Sequence, residues 1–161
     1  MNDISHLDSR FSVRPLAGHD LDIICHHRRA MFTEMGFDSA AIEASVSAFR
    51  PWLAEALAHK RYFGFVVESR GAVVAGIGLL RLPWPPHAFH PSEPERGYIL
   101  NLYVEAEARH NGLAKHLMHQ AEEEFRRHDV HYLVLHASEQ GRPVYEQLGW
   151  RASSEMVKIL K

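Results

Sequence analysis

Between residues 97 and 135 the chain changes periodicity twice. Gly97 to Val104 reads Gly-Tyr-Ile-Leu-Asn-Leu-Tyr-Val, aromatic and apolar as a strand requires. From Asn111 to His128 the apolar residues Leu113, Leu117, Met118, Ala121 and Phe125 recur at helical spacing. Glu122, Glu123, Arg126 and Arg127 form the opposite, solvated face and pair at i, i+4. Tyr132 to Leu135 is then a continuous apolar run, as expected of a buried strand in a parallel pair. Strand, helix and strand in this order make the crossover unit that parallel strands need, so the chain is α/β, neither all-helical nor all-β. The turn into the helix reads Arg109-His110-Asn111-Gly112-Leu113-Ala114-Lys115. A helix start has unpaired N–H groups and a partial positive charge, and both attract phosphates. Gly112 has no Cβ to hold a ligand off the backbone, Ala114 is nearly as small, and Arg109 and Lys115 add charge. The stretch predicts a phosphate or pyrophosphate site; the alternative is a small-residue helix start packed on its sheet. The three-glycine dinucleotide fingerprint and the Gly-Lys-Ser/Thr loop of nucleotide triphosphatases are both absent.

The rest of the chain fits around this unit. Phe11 to Pro15 reads as a first strand. Asp20 reads as the N-cap of a helix running through Phe32, and Asp38 or Ser39 as the cap of a second, with Ile42, Val46 and Phe49 on one face. Pro51 is expected to interrupt that helix, which resumes from Trp52 to His59. Tyr62–Glu68 and Ala72–Leu82 form a hairpin across Ser69-Arg70-Gly71. Pro83 to Glu95 holds five prolines in thirteen residues and is a loop, in which Trp84 and Phe89 either line a pocket or pack the loop down. A short helix from Gly141 to Leu148 and a last strand from Glu155 to Leu160 close the chain. The order is βααβββαβαβ: one domain over residues 1–161, a mixed central sheet with flanking helices.

Composition removes several functions. Lys and Arg number 18 against 20 Asp and Glu, a net charge of −2, without the basic excess of a nucleic-acid binder. The longest apolar run, Ala72 to Leu80, is too short to span a membrane, and the polar start Met1 to Arg10 does not read as a signal peptide. Cys25 is the single cysteine, which excludes an internal disulfide and fits a cytoplasmic protein. The 13 histidines lie in scattered pairs without metal-ligand spacing, so no metal is expected.

Two segments resemble the GCN5-related N-acetyltransferase (GNAT) superfamily. Leu102-Tyr103-Val104 followed by Arg109, Gly112 and Ala114 is similar to its acetyl-CoA motif, Gln/Arg-x-x-Gly-x-Gly/Ala after an apolar strand. Pro143-Val144-Tyr145-Glu146-Gln147-Leu148-Gly149-Trp150 is similar to its Tyr-x-x-Leu-Gly-Phe signature. The element order agrees over nearly the whole chain, and the resemblance places the acetyl-CoA core at about 97–150.

The resemblance implies an acetyl-CoA-dependent N-acetyltransferase that moves the acetyl group directly to a primary amine, of a small molecule or a protein, in a ternary complex. The backbone of Leu102, Tyr103 and Val104 would pair with the pantetheine arm, admitted by a splay from the strand ending at Leu135. One N–H there would polarise the thioester carbonyl. His110, Asn111, Gly112, Leu113, Ala114 and Lys115 would cradle the pyrophosphate beside Arg109. Tyr145 would protonate the leaving thiolate as general acid. Glu34, Glu43, Glu95 and His136 are candidates for the base, and Asn101 would orient substrate or bond within the sheet. Where the superfamily often has an asparagine, this chain reads His136-Ala137-Ser138-Glu139, so Ser138 takes that contact or caps the following helix. Arg142 reaches a CoA phosphate or stays in solvent. Cys25 lies too far from the signature for a covalent intermediate. The other readings are an acyl-CoA-binding regulatory module without turnover and a histidine metal binder; a homodimer is compatible with either transferase or module.

Overall fold

The computed structural model describes residues 7–160; the stretch 1–6, part of the segment read as lacking a leader, lies outside the described residues. Five strands form one sheet in chain order: β1 (Phe11–Pro15), β2 (Tyr62–Ser69), β3 (Ala72–Pro83), β4 (Glu95–Val104) and β5 (Leu133–Leu135). The first four pair antiparallel and β5 lies parallel to β4. The helices are α1 (Leu21–Glu34), α2 (Ser39–Ala58), α3 (Leu113–Arg127) and α4 (Arg142–Gln147). The predicted mixed α/β domain is therefore what the chain forms.

The apolar stripe of α3 lies with Val67, Ala75, Ile77, Leu79 and Ile99 in one buried cluster. A second cluster joins Ile24 and Cys25 of α1 with Ile42, Val46, Leu53 and Ala56 of α2 and with Tyr62. The Tyr62 ring is admitted by Gly78: a Cβ there would stand 2.0 Å from its hydroxyl oxygen.

Several local expectations are corrected. Pro51 lies inside a continuous α2; it and Ser47, whose carbonyl loses its bond, both face solvent, where water replaces the missing donor. Asp20 occupies the N-cap position of α1 but its side chain does not cap it. Its buried carboxylate accepts instead from the Ala17 amide and from Arg14 at 2.8 Å, ahead of which a short 3-10 turn (Gly18–Asp20) enters the helix. The third helix begins at Leu113 rather than Asn111, because Asn111 Nδ2 donates to the carbonyls of Ala108 and Arg109 and closes the preceding turn. The proline-rich loop shortens to 84–94, and Arg96 is buried with its guanidinium 3.7 Å from the Trp84 ring centroid, so Trp84 packs the loop down.

The last strand is not formed: residues 151–160 have no regular structure, and Met156, Val157, Ile159 and Leu160 are exposed. A strand needs a neighbour as well as β-forming residues. Tyr132–Leu135, read as a buried strand, accordingly lies half-buried at the sheet edge, with no strand on its far side among the described residues.

Candidate functional site

The site begins with an irregularity in β4. Gly78 pairs with Leu100 and Gly76 with Tyr103, so Asn101 and Leu102 together oppose Ile77 in a β-bulge. Asn101 adopts φ 52°, a left-handed conformation that asparagine tolerates better than most residues. On the other side of β4 the pairing with β5 ends at Ile99 and Leu135. From Leu100 to Val104 that edge has no strand beside it among the described residues, which leaves an opening where the two parallel strands part. An extended ligand with amide groups can add there as a strand would.

β4 leads through a 3-10 turn (Ala106–Ala108) to the start of α3. Gly112 takes the N-cap position at φ 75°, and no side chain caps the helix. The first described bond into this helix end runs from the His116 amide to the Gly112 carbonyl, so the amides of Leu113, Ala114 and Lys115 have no partner among the described residues. A Cβ at Gly112 would meet nothing within 4 Å. Three free donors at the positive end of a 15-residue helix, with open space before them, make an anion cradle. Leu113 is buried, so its part is limited to its backbone; Lys115, His110 and Asn111 are exposed beside it.

Arg109 does not point freely into this cradle. Its Nε donates to the Val104 carbonyl at 3.0 Å, and its Nη2 donates to Glu34 of α1 at 2.7 and 2.8 Å. The Tyr103 hydroxyl donates to the same carboxylate at 2.8 Å. Burial alone would raise the Glu34 pKa, but the bonds from Arg109 and Tyr103 outweigh it and hold the carboxyl below its usual range. Glu34 is therefore near the site, yet poorly disposed to take a proton. Glu43 is bonded by Arg29 at 2.6 Å between α1 and α2, and Glu95 by Arg81 at 2.8 Å at the opposite end of β4 from the bulge. His136 stands just beyond β5, its ring 5.7 Å from that of Tyr98, without an ion pair among the described residues.

Tyr145 of α4 is half-buried, its ring 6.4 Å from that of Trp150, and burial raises its pKa, so the phenol keeps its proton at neutral pH. Ser138 Oγ accepts from the Gly141 amide at 3.0 Å, which ties it to the turn entering α4. Arg142 lies exposed on the same turn.

Two side chains beneath the bulge escaped the sequence reading. Arg28 of α1 donates to Asn101 Oδ1 at 2.8 Å, and Asn101 Nδ2 donates to the Tyr62 hydroxyl at 2.9 Å. Asn101 thus bonds within the sheet and reaches α1 as well. His27 is buried against Tyr103, ring centroids 5.1 Å apart. The signal was present: Arg28 falls on the apolar stripe between Ile24 and Phe32, where a solvated arginine has no reason to stand. Among the described residues no three His, Cys, Asp or Glu side chains gather where they could hold a metal, and no helix is long and apolar enough to cross a membrane.

Comparison with known proteins bears on this geometry. Residues 22–150 match the model of the acetyltransferase (GNAT) family. A GCN5-related N-acetyltransferase from Ralstonia eutropha JMP134 is 46% identical, with a TM-score of 0.91 over 93% of this chain and 98% of that one. A predicted acetyltransferase of Clostridium acetobutylicum, solved with acetyl-CoA, shares the fold at 22% identity and a TM-score of 0.82 over 93% and 96% of the two chains. An aminoglycoside 6'-N-acetyltransferase of Acinetobacter haemolyticus does so at 16% identity and 0.69, over 93% and 97%. No match is found among curated proteins.

Proposed function

The chain belongs to the GNAT family of acetyltransferases, and from that premise we propose that it transfers the acetyl group of acetyl-CoA directly to a primary amine while both substrates are bound. The observation that carries this reading is the start of α3: three unpartnered amides facing open space at Gly112. That donor set suits a diphosphate, and the free edge of β4 from Leu100 to Val104 suits the amide-bearing arm attached to it. The fold shared with a neighbour solved with acetyl-CoA supports the same cosubstrate.

Bound acetyl-CoA supplies the acetyl group as an activated thioester. The residues of the chain then have separable tasks. The amides of Leu113, Ala114 and Lys115 hold the diphosphate, with the Lys115 ammonium beside them. The bulge at Asn101 breaks the pairing with β3 at Asn101 and Leu102, and an amide of the open edge there polarises the thioester carbonyl. Tyr145, protonated at neutral pH, donates a proton to the departing sulfur. Of the four base candidates, Glu34, Glu43 and Glu95 are each engaged by an arginine. His136 has no such ion pair among the described residues, so we assign it the amine proton. Holding both substrates in one complex supplies much of the rate through positioning.

The test is calorimetric titration with acetyl-CoA, followed by an amine screen reading free thiol release. One-to-one micromolar binding and amine-dependent thiol release are expected. Binding without turnover of any amine would favour a regulatory acyl-CoA module, and no binding to folded protein would refute the reading.

A further inference from the structure

Arg28 is a cation without an anion. Every other arginine of the described residues that is partly or fully buried has a carboxylate within ion-pair distance: Arg14 has Asp20 and Glu68, Arg29 has Glu43, Arg96 has Glu155, Arg109 has Glu34. Arg28 has none among the described residues. Its guanidinium is gripped between the rings of Phe32 and Phe49, 4.7 and 4.4 Å from their centroids. Among the described residues, one of its five N–H bonds reaches an acceptor, Asn101 Oδ1, and its buried Nε has no partner. The ionisable groups facing it are Tyr62, Cys25 and Tyr98, each kept protonated by burial. Withdrawing an arginine from water without a counter-charge is costly, and the fold holds this one against Asn101, within the β4 edge offered to the thioester arm.

Around it runs an apolar rim. Phe37 packs edge-on against Phe32, Trp52 stacks on Phe49, and Phe37, Met35 and Trp52 are all exposed. A planar fork with free donors matches a carboxylate in two-point contact, and the rim matches an apolar body.

We propose that Arg28 is the specificity determinant of the acceptor site and that the acceptor is a small primary amine carrying a carboxylate and an apolar or aromatic body. This inference rests on the acetyl-transfer reading above and names its substrate class.

The test uses matched amines that differ only in the carboxylate, such as phenylalanine against phenethylamine and tryptophan against tryptamine, with the corresponding aminophosphonate as a third arm. The wild type is expected to favour the carboxylated member by about 10- to 100-fold in kcat/KM, the value of a charge-assisted hydrogen bond pair. In Arg28→Met the ratio should collapse toward unity, and in Arg28→Lys it should fall part-way, because the charge survives and the fork does not. A ratio is insensitive to a variant's reduced folded fraction, so a purely structural role for Arg28 would leave it unchanged. The inference is overturned if no carboxylated amine is turned over ahead of its partner, if the preference survives in Arg28→Met, or if the phosphonate is preferred. Acetyl-CoA titration of the same preparations separates the two claims: intact cofactor binding with no carboxylate preference sinks only the substrate class.

Discussion

Replacing Gly112 separates the cost of the turn from the cost of blocking the cradle. Gly112 sits at φ 75° with nothing within 4 Å of an added Cβ, so Gly112→Ala meets no clash. Its stability cost is that of an L-residue in the left-handed region, roughly 1–2 kcal/mol. The lower entropy of the alanine variant's unfolded chain offsets part of this, leaving about 1 kcal/mol. For a chain of 161 residues that is a drop in Tm of about 2–4 °C, far from unfolding a domain stable by roughly 5–15 kcal/mol. Asparagine tolerates the same conformation better, so Gly112→Asn should lose less stability than Gly112→Ala. Affinity should run the other way. The new side chain projects into the space before three free amides, and losing even one charge-assisted bond of about 2 kcal/mol weakens acetyl-CoA binding about 30-fold. The larger asparagine should weaken it at least as much as alanine. Urea denaturation and calorimetric titration measure the two effects on the same samples. If affinity follows stability, or if both variants bind within about twofold of wild type, Gly112 serves the turn alone.

Three further outcomes are expected. Tyr145→Phe should lower kcat by about 100-fold or more with acetyl-CoA affinity nearly unchanged, since only the proton is removed; an unaltered kcat would take Tyr145 out of the chemistry. His27 is buried, and its pKa is lowered to about 4; Glu105 Oε1 stands 3.3 Å away but does not accept a bond from it. Because the unfolded chain takes up this proton near pH 6.5 and the folded one does not, stability should be complete above about pH 6.5 and fall by about 3 kcal/mol as pH drops to about 4. His27→Gln should flatten that slope in chemical denaturation measured across the range, and a parallel slope would assign it to other groups. Trp84→Ala removes the ring that covers buried Arg96 and should cost about 1–2 kcal/mol in thermal stability while leaving acetyl-CoA affinity in place; an unshifted melt would show that the loop is not held by that contact.

How far the sequence reached depends on the range of the interactions involved. The strand, turn and helix from 97 to 127 were legible because periodicity, a glycine and a solvated charge face all act within a few residues. The bulge at Asn101 was not, since it arises from register against Ile77, a residue of another strand. The engagement of Arg109 by Glu34 spans 75 positions, and nothing local indicates that this motif charge is already taken. Pro51 misled for the opposite reason. The local rule was sound, but an exposed Ser47 carbonyl lets water replace the lost bond. The expected strand at 155–160 shows the limit of local propensity most plainly: suitable residues are present, and among the described residues no strand stands beside them.

The Tyr62 hydroxyl occupies the volume a side chain at position 78 would need, and the same hydroxyl receives the Asn101 amide. Positions 62, 78 and 101 are therefore physically coupled. A side chain at 78 has no room while 62 stays tyrosine, and a shorter residue at 62 strands the amide at 101. Arg28 donates to the oxygen of the same Asn101 side chain, so a change at 62 or 78 reaches Arg28 through that one amide.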